Sequence, residues 1–451
     1  MIRLDLATAA EWLGGRLIDA PADQRFCGVS TDSRALQPDN LFIALRGERF
    51  DGHAFCQPAL GSGAAAVIVD DPAAATGPRI VVADTRKALI HLGAGWRRHF
   101  DIPVIAVTGS NGKTTVKECI AAILRQRAPA LATRGNLNND IGVPLMLCEL
   151  DTEHAAAVFE LGANHPGEID TLAHMVRPDV GLVTNAAAAH LAGFGSIEGV
   201  ARAKGELYAA LPDSGVAVIA ADEPWAPLWR GLAGPRRQLS FACETVADVS
   251  VIETRVGVEL AIGATRRPLN GFPLPGLHNR NNAAAAAAAA HAAGFDIDTI
   301  AAGLVSVEPV PGRLVKRAGP AGAVVLDDSY NANPGSFEAA LAVLAEHDGR
   351  RWAVVGEMGE MGSEVEAHHR QLGAAAKAAG VARLWAFGPS AAATCAGFGD
   401  GAAVVDDLPA LAEQLRGDLD RDVALLVKGS RSNRLERLIA ALAERNARAG
   451  G

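Results

Sequence analysis

The segment that most constrains the fold is a glycine-rich turn placed between an apolar run and a helical pattern. The apolar run is Val104–Val107, the turn reads Thr-Gly-Ser-Asn-Gly-Lys-Thr-Thr over residues 108–115, and the helical pattern continues to about Arg127. In a strand–turn–helix unit of this kind, backbone N–H groups at the start of the helix point at the oxygens of a bound phosphate. The segment therefore predicts a phosphate-binding loop at the carboxyl end of a buried strand.

Each residue type in this turn has a physical role in binding a nucleotide. Gly109 and Gly112 let the backbone turn toward phosphate oxygens, and Lys113 places a cation near the β- and γ-phosphates. The Thr114 hydroxyl can ligate Mg²⁺. Only two residues separate the glycines, whereas the common loop has four, so a chance glycine turn before a helix is the alternative interpretation. The predicted nucleotide-binding residues of the turn are Gly109, Ser110, Asn111, Gly112, Lys113, Thr114 and Thr115.

Length and composition are those of a soluble globular protein. The 451 residues predict about three domains at roughly 150 residues per domain. Hydrophobic residues make up 49% and charged residues 21%, which excludes a wholly disordered chain. The formal net charge of −9 provides no basic field for DNA or RNA, so we expect no nucleic-acid partner.

Two features bear on the compartment of the protein. The longest run of low polarity, residues 283–290, is too short to span a bilayer, and the first residues lack the layout of a signal peptide. The six cysteines form no CxxC pair, which removes support for a zinc ribbon or a thioredoxin site and indicates free thiols in a reducing compartment. We therefore expect no membrane insertion and a cytoplasmic location.

Apolar runs that alternate with helical patterns predict an α/β fold of three domains. Short strands are predicted at 64–70 and 80–84, a connecting helix at 86–99, and strand–loop–helix units from Ile102 onward. This alternation favours a parallel sheet flanked by helices, and a second series follows a proline-rich hinge at 309–313. The predicted domains are a small α/β domain over 1–85, a central parallel-sheet domain with the phosphate loop over 86–314, and a Rossmann-like α/β domain over 315–451.

Polar residues follow two further predicted strands. Glu160 ends a strand, where it could supply a second hard oxygen ligand to a nucleotide-bound Mg²⁺ or could be a solvated turn residue. Thr184 and Asn185 end the next strand, and His190 follows them. His190 and Lys204 each have an ordinary interpretation, namely a solvated or structural histidine and a surface lysine on a helix.

Three other polar stretches have both a structural and a functional interpretation. His278–Asn282 precedes an alanine-rich helix at 283–293, and its asparagines could cap that helix or hydrogen-bond the edge of a purine. Arg313 could be a surface cation or a finger supplied in cis to a γ-phosphate. Asp327–Pro334 is dense in acids and amides, and a turn formed by Asn333 and Pro334 explains only its end.

Taken together, these motifs resemble the Mur ligases, and the resemblance runs through all three predicted domains in order. The loop at 108–115 is similar to the short phosphate loop of that superfamily, although Ala186–Ala189 stands where the family has a more varied stretch. The other motifs are most similar to the branch that adds D-alanyl-D-alanine to UDP-N-acetylmuramoyl-tripeptide, and they are found at 31–34, 41–53, 135–144, 327–334 and 428–431.

The resemblance implies an ATP-driven amide ligase of peptidoglycan precursor synthesis. The terminal carboxylate of UDP-N-acetylmuramoyl-tripeptide would attack the γ-phosphate of ATP, and the amine of D-Ala-D-Ala would then displace phosphate from the acyl phosphate. Bringing two anions together requires Mg²⁺ and cations rather than a protein nucleophile. ATP and two Mg²⁺ ions are thus implied as cofactors, with the tripeptide and the dipeptide as small-molecule partners of a monomer.

Catalytic and metal-binding roles are likewise implied by the resemblance. Thr114, Glu160 and His190 would ligate Mg²⁺, and Lys204 would carry a CO₂ adduct whose carboxylate could help to hold the second metal. The catalytic residues implied in this way are Lys113, His190, Lys204 and Arg313.

For the ligands, the resemblance places Asn279 and Asn282 at adenine, Arg313 at the γ-phosphate and Asp328 at the ribose. Ser33 and Arg34 would seat the uridine diphosphate, and Asn138 and Asn139 would lie near the nucleotide or the peptide. The substrate-binding residues implied in total are Ser33, Arg34, Asn138, Asn139, Tyr330, Asn331 and Asn333.

Because the implied site is divided between the central and last domains, we expect hinge closure near Arg313 that excludes water from the acyl phosphate. The nearest alternative is another ligase of the superfamily, such as MurE or folylpolyglutamate synthase. A nucleotide-dependent regulatory switch is the alternative from a different class, and the many polar strand ends beyond the phosphate loop disfavour it.

Overall fold

A computed structural model describes residues 1–47, 50–188, 191–359, 361 and 364–443. Within these ranges the strands form four sheets, which occupy three successive stretches of the chain. The domain boundaries at 85 and 314 stay a prediction, although no strand of one large sheet lies in another stretch. In the part of the chain that the structure describes, no helix is long and apolar enough to cross a membrane.

The first stretch contains a five-stranded sheet of order β2-β7-β6-β5-β4 and a two-stranded β1–β3 ribbon. The predicted strands at 64–70 and 80–84 correspond to β6 and β7, which pair in parallel. Helix α3 leads from this stretch to the central sheet. The elements are β1 Arg3–Asp5, α1 Leu6–Leu13, β2 Arg16–Ile18, β3 Arg25–Cys27, β4 Val29–Ser30, β5 Leu41–Ile43, α2 Cys56–Gly61, β6 Ala66–Val69, β7 Arg79–Val81 and α3 Thr85–Arg97.

The central stretch forms a nine-stranded sheet of order β16-β15-β14-β13-β12-β11-β8-β10-β9. Its elements are β8 Val104–Thr108, α4 Lys113–Leu124, β9 Ala130–Ala132, α5 Gly142–Leu147, β10 Ala156–Glu160, α6 Glu168–Val176, β11 Val180–Val183, α7 Leu191–Phe194, α8 Ile197–Ala209, β12 Val216–Ala220, α9 Ala226–Ala233, β13 Arg237–Phe241, β14 Val249–Thr254, β15 Gly257–Ile262, β16 Thr265–Pro268, α10 Leu277–Ala292 and α11 Ile297–Val305.

Strand β8 lies between β10 and β11 and is buried on both faces, which explains its continuous apolar sequence. Ile105 and Val107 pack with α4, α10 and α11, whereas Val104 and Ala106 pack with α5, α6 and α8. A buried parallel strand that ends at a turn between two neighbours places that turn at the carboxyl edge of the sheet, where ligands of such sheets bind.

One edge of the central sheet differs from the parallel arrangement that the sequence favours. β14 pairs antiparallel with β15, and β15 pairs antiparallel with β16. These strands are joined by tight turns, one of them with Gly263 at φ 55°, rather than by crossover helices. Their outer residues are largely exposed, so they lack the apolar runs by which the buried strands were predicted.

Helix α10 starts earlier than the alanine-rich run suggests. Its N-cap is Gly276, which has φ 85° and no capping side chain, so Asn279 lies inside the helix and the interpretation of this residue as a cap is wrong. The alanines at 283–290 are all buried. Because their side chains are small, α10 can pack closely against α4 and the sheet.

The last stretch forms a six-stranded sheet of order β17-β18-β22-β19-β20-β21, parallel apart from β17. Helices α12, α13 and α14 cover one face and α15 and α16 the other. The elements are β17 Val315–Ala318, β18 Val324–Asp328, α12 Pro334–Ala345, β19 Arg350–Val355, α13 Val365–Ala378, β20 Val381–Phe387, α14 Ala391–Phe398, β21 Ala402–Val405, α15 Leu408–Asp418, β22 Val423–Lys428 and α16 Glu436–Ala443.

Candidate active site

A cavity of about 1110 Å³ lies where the carboxyl ends of the central strands face the last domain. Its walls come from α3, the phosphate loop, the first turns of α6 and α10, and the carboxyl ends of β18 and β22. The predicted site residues that line this cavity are Ser110, Asn111, Gly112, Lys113, Thr114, Thr115, Asn138, Asn139, Glu160, Asn279, Asn282, Arg313, Asp328, Tyr330, Asn331 and Asn333.

The two glycines of the phosphate loop are required by its conformation. Gly109 has φ 143° and Gly112 has φ 79°, values that residues with a side chain rarely adopt. A Cβ atom at Gly109 would collide with the Thr184 hydroxyl, and one at Gly112 would collide with the carboxamide of Asn282. The loop therefore packs closely against β11 and α10, and its backbone remains open toward the cavity.

Lys113 begins α4 and turns its ammonium group back over the loop. Its Nζ donates hydrogen bonds to the carbonyl oxygens of Gly109 at 2.5 Å and Ser110 at 3.2 Å. Burial lowers the pKa of Lys113, the Arg313 cation lowers it further, and the nearby Glu160 carboxylate opposes the shift. A partly buried ammonium held by carbonyls is placed for a phosphate, whose charge would compensate the cost of its desolvation.

Thr114 and Glu160 come together beside the loop. Glu160 ends β10, the strand parallel to β8, and accepts a hydrogen bond from the Thr114 hydroxyl at 2.9 Å and from the Asn138 amide at 2.8 Å. Glu160 is buried, so the alternative of a solvated turn residue is wrong. A hydroxyl and a carboxylate next to a phosphate loop are hard oxygen donors, the chemistry that Mg²⁺ prefers when it also binds substrate phosphates.

The segment after β11 holds the phosphate loop from the other side. Asn185 accepts hydrogen bonds from the backbone N–H groups of Ser110 at 3.0 Å, through its carbonyl, and of Asn111 at 2.9 Å, through its side chain. The Thr184 hydroxyl donates to the Asn111 carbonyl at 2.6 Å. The sequence predicts Thr184 and Asn185 at a strand end but gives them no role. The signal for a role is that β8 and β11 are adjacent parallel strands, so the segments that follow them lie side by side.

A hydrogen bond between two side chains joins the phosphate loop to the last domain. The Asn333 amide donates a hydrogen bond of 2.6 Å to the Asn111 side chain, although 222 residues separate the two. The Asn333 oxygen accepts from the Ser336 backbone N–H as the N-cap of α12. Both ends of the Asn333 amide are thus engaged within the protein, one of them across the domain boundary.

The asparagines at the start of α10 differ in their availability to a ligand. Asn279 is buried, donates to the Pro275 carbonyl at 2.8 Å and accepts from the Asn282 amide at 3.1 Å. The Asn282 oxygen lies over Gly112. Asn282 therefore faces the loop directly, whereas Asn279 orients Asn282.

Arg313 projects from the hinge into the cavity. Its guanidinium carbon lies 4.4 Å from the centre of the Tyr330 ring, and its buried Nε has no hydrogen-bond acceptor among the described residues. Buried donors in proteins are normally hydrogen-bonded, so an unpartnered donor beside a cavity fits an arginine that binds an anionic ligand. The Tyr330 ring fixes the direction of the side chain.

Asp328 ends β18 and is paired within the last domain. Its carboxylate accepts from the Lys428 ammonium at 2.7 Å and from the Leu314 backbone N–H at 3.1 Å, and Lys428 also donates to the Asn331 carbonyl at 3.0 Å. Burial lowers the pKa of Lys428, and Asp328 opposes this shift. The sequence did not single out Lys428 as a partner of Asp328, because only the insertion of β22 beside β18 brings them together.

Lys204 is a buried residue of α8, so its interpretation as a surface lysine is wrong. Its Nζ donates to the Ala163 carbonyl at 3.2 Å and lies 5.3 Å from the centre of the Phe194 ring. Burial lowers the pKa of Lys204 to about 7, with a further lowering from the Lys113 cation. A lysine with this pKa is partly a neutral amine at physiological pH, which is the nucleophilic form.

The remaining predicted residues lie apart from these groups or outside the described ranges. Ser33 and Arg34 belong to the first domain and do not line the cavity, and the exposed Arg34 pairs with Asp32 at 2.7 Å. Asn139 lines the cavity and accepts from the Gly142 backbone N–H at 2.8 Å near the start of α5. His190 lies outside the described residues.

Family models match the chain in three stretches. The Mur ligase family catalytic domain matches residues 25–97, the Mur ligase middle domain 107–290, and the Mur ligase glutamate ligase domain 312–431. The chain is also 44% identical over 456 residues to the UDP-N-acetylmuramoyl-tripeptide–D-alanyl-D-alanine ligase of Escherichia coli (strain K12), with 98% of this chain and 99% of the relative covered.

Two solved structures share the fold over nearly the whole chain. The UDP-N-acetylmuramoylalanyl-D-glutamyl-2,6-diaminopimelate–D-alanyl-D-alanyl ligase of Acinetobacter baumannii is 35% identical, with a TM-score of 0.87 over 98% of this chain and 99% of that chain. MurF ligase of Thermotoga maritima in complex with ADP is 27% identical, with a TM-score of 0.82 over 93% and 97%. These matches confirm the predicted three-domain α/β fold. The chain belongs to the Mur ligase family and, within it, to the group of UDP-N-acetylmuramoyl-tripeptide–D-alanyl-D-alanine ligases.

Proposed function

We propose that this protein joins D-alanyl-D-alanine to UDP-N-acetylmuramoyl-tripeptide at the expense of ATP. A carboxylate oxygen of the tripeptide bonds to the γ-phosphorus, and ADP leaves. The amine of the dipeptide then attacks the acyl carbon, the C–O bond to phosphate breaks, and the amine loses a proton. The observation that carries the proposal is the single cavity that joins a phosphate loop, a buried Thr114–Glu160 pair and the polar strand ends of the last domain.

The cations of the cavity are placed for the first of these steps. Lys113 and the loop N–H groups bind the β- and γ-phosphates, and the Arg313 guanidinium, which lines the cavity, receives the γ-phosphate as negative charge moves toward ADP. Asn282 contacts the base, and Asp328 contacts the ribose after giving up part of its pairing with Lys428. Transfer between two anions needs such fixed positive charge more than a protein nucleophile.

Thr114 and Glu160 are the residues that would hold a nucleotide-bound Mg²⁺, since their oxygens already meet at 2.9 Å beside the loop. When bound, the ion supplies charge neutralisation to the phosphates. Asn138 orients the Glu160 carboxylate through its amide. His190 as ligand of a second Mg²⁺ rests on the family resemblance alone.

Carbamylation of Lys204 is part of the proposal. The neutral amine attacks CO₂, an N–C bond forms and a proton leaves, so a buried cation becomes a carboxylate. The lowered pKa of Lys204, about 7, favours this step at physiological pH because the neutral form is populated.

We expect a ¹³C carbamate resonance when the protein is equilibrated with ¹³CO₂, and we expect its intensity to rise between pH 6 and 8 as the amine loses its proton. The resonance should be absent from Lys204→Met and present in the control Lys377→Met, whose parent lysine lies on the surface of α13. A resonance that persists in Lys204→Met would contradict the assignment to this residue.

The interdomain hydrogen bond supports closure of the last domain over the phosphate loop. We expect Asn333→Ala to raise the KM for ATP by roughly fivefold, because a neutral hydrogen bond contributes about 1 kcal/mol. Since Asn333 also caps α12, Asn333→Asp serves as the matched variant: it keeps the capping oxygen and removes the donor to Asn111. An unchanged KM in Asn333→Asp would show that the contact does not contribute to closure.

Ser33 and Arg34 in the first domain are proposed to bind the uridine diphosphate part, Asn138 and Asn139 to lie near the peptide, and the segment Tyr330–Asn333 to border the dipeptide. A monomeric state stays a prediction. Dependence on ATP and a nucleotide-linked substrate supports a cytoplasmic location.

Mass detection of UDP-N-acetylmuramoyl-pentapeptide from ATP, UDP-N-acetylmuramoyl-tripeptide and D-Ala-D-Ala tests the proposed function. Phosphate release measured with a panel of other amine acceptors distinguishes this activity from those of the other ligases of the superfamily. ATP turnover that ignores both tripeptide and dipeptide would instead indicate a nucleotide-dependent switch and overturn the proposal.

A further inference from the structure

We propose that Arg86 binds a non-reacting carboxylate of the peptide substrate and thereby selects an acidic peptide; this inference rests on the proposed function. Arg86 lies in the first turn of α3, the helix that leads from the first domain to the central sheet, and it lines the same cavity as the phosphate loop. Because α3 joins the first domain to the central sheet, a peptide attached to a nucleotide sugar in the first domain would enter the cavity beside this helix.

The surroundings of Arg86 keep its guanidinium in place and leave donors free. Its Nε and Nη2 donate to the Asp140 carboxylate, the latter at 2.8 Å, so two of the five N–H donors of an arginine are used. Its own backbone N–H is held by Asp84, the N-cap of α3. Slightly more than half of the Arg86 side chain is exposed, at 54%, and the remaining donors can receive a planar carboxylate.

Arg86 and the metal-binding Glu160 are contacted by side chains of the same short segment. Asn138 contacts Glu160, and Asp140, two residues later, contacts Arg86, so the Cα atoms that carry these two side chains lie at most about 7 Å apart. In a peptide that ends in diaminopimelate, six bonds separate the reacting carboxyl group from the side-chain carboxyl group, a reach of about 7 Å when extended. The free carboxylate of the glutamyl residue lies at a similar bond distance.

The charges of the cavity distinguish Arg86 from the other cations. Lys113 and Arg313 face the phosphates, and Lys428 is buried against Asp328. Arg86 instead lines the cavity from α3, together with Ile90 of the same helix, and lies within electrostatic reach of Glu168. A cation flanked by acidic side chains is complementary in charge to a peptide end that carries carboxylates and an ammonium group.

The test compares three tripeptide substrates in the wild type and in Arg86→Gln. The first is alanyl-D-glutamyl-diaminopimelate, the second has its free glutamyl carboxylate converted to an amide, and the third ends in lysine. Both kcat/KM in product formation and Kd by calorimetry are measured. Arg98→Gln, an exposed arginine at the end of α3, is the matched control, and Arg86→Lys keeps the charge without the planar fork.

We expect Arg86→Gln to weaken binding of the first substrate by about 10- to 100-fold, mainly in KM and Kd, because a charge-assisted contact is lost. In the wild type, one of the two altered substrates should bind more weakly than the first substrate by the same factor. That substrate should lose no further affinity in Arg86→Gln, which identifies the carboxylate that Arg86 binds. Equal losses on all three substrates, or none, would overturn the inference. Absence of pentapeptide from the wild type would refute the proposed function instead, while the Kd values would still decide the role of Arg86.

Discussion

Replacing Lys113 by alanine is expected to reduce the rate of pentapeptide formation by roughly 100- to 1000-fold, the loss seen when one preorganised charge donor to a transition state is removed. Lys113 is partly buried, and its ammonium is held in place by the loop carbonyls of Gly109 and Ser110. The measurement is kcat at saturating ATP and tripeptide, with product detected by mass.

Folding of the Lys113→Ala variant should be unimpaired. Burial lowers the pKa of this lysine, which means that the folded state disfavours its charged form, and removal of the group relieves that cost. Lys113→Met keeps the aliphatic volume, and Lys377→Ala on the surface of α13 controls for loss of a lysine elsewhere. Wild-type rates in Lys113→Ala or Lys113→Met would contradict the role given to this residue.

Glu160→Gln is expected to lower kcat by roughly 100-fold at fixed Mg²⁺ and to raise the Mg²⁺ concentration for half-maximal activity at least tenfold, because loss of a metal-binding charge removes several kcal/mol of transition-state stabilisation. The glutamine oxygen can still accept from Asn138, and its amide can donate to the Thr114 hydroxyl, so the buried network remains satisfied.

The control for Glu160→Gln is Glu198→Gln, which makes the same chemical change at an exposed residue of α8 that pairs with Arg202. An Mg²⁺ titration over a wide range compares the two variants with the wild type. The same half-saturating concentration in Glu160→Gln and wild type would show that this carboxylate does not hold the metal.

The parts of the site that sequence could predict are those that follow from one local pattern. Val104–Val107 is apolar throughout because β8 is covered on both faces, and the turn after it can lie only at the carboxyl edge of the sheet. Glu160 could be placed beside it because the carboxyl ends of parallel strands share an edge.

Contacts between distant segments could not be predicted in this way. The Asn111–Asn333 hydrogen bond depends on how two domains meet, and the Asp328–Lys428 pair depends on the insertion of β22 beside β18. Neither arrangement leaves a periodic signal in the chain. The burial of Lys204 was likewise invisible, since a lysine on an amphipathic helix is ordinarily solvated.

The exposed edge of the central sheet was missed for a related reason. Strands β15 and β16 carry exposed polar residues and are joined by a tight turn at Gly263, so they lack the uninterrupted apolar runs that identified the buried strands. The start of α10 was predicted too late because its N-cap, Gly276, has no capping side chain that would mark the beginning of the helix.

The central claim is that the γ-phosphoryl group of ATP passes to the terminal carboxylate of the peptide before the amide forms. The most direct measurement uses a tripeptide whose reacting carboxyl group carries ¹⁸O at both oxygens, followed by mass analysis of the released phosphate. Transfer through an acyl phosphate predicts one ¹⁸O atom in each phosphate ion formed with the pentapeptide. Phosphate that carries no ¹⁸O, released together with the pentapeptide, would contradict the account.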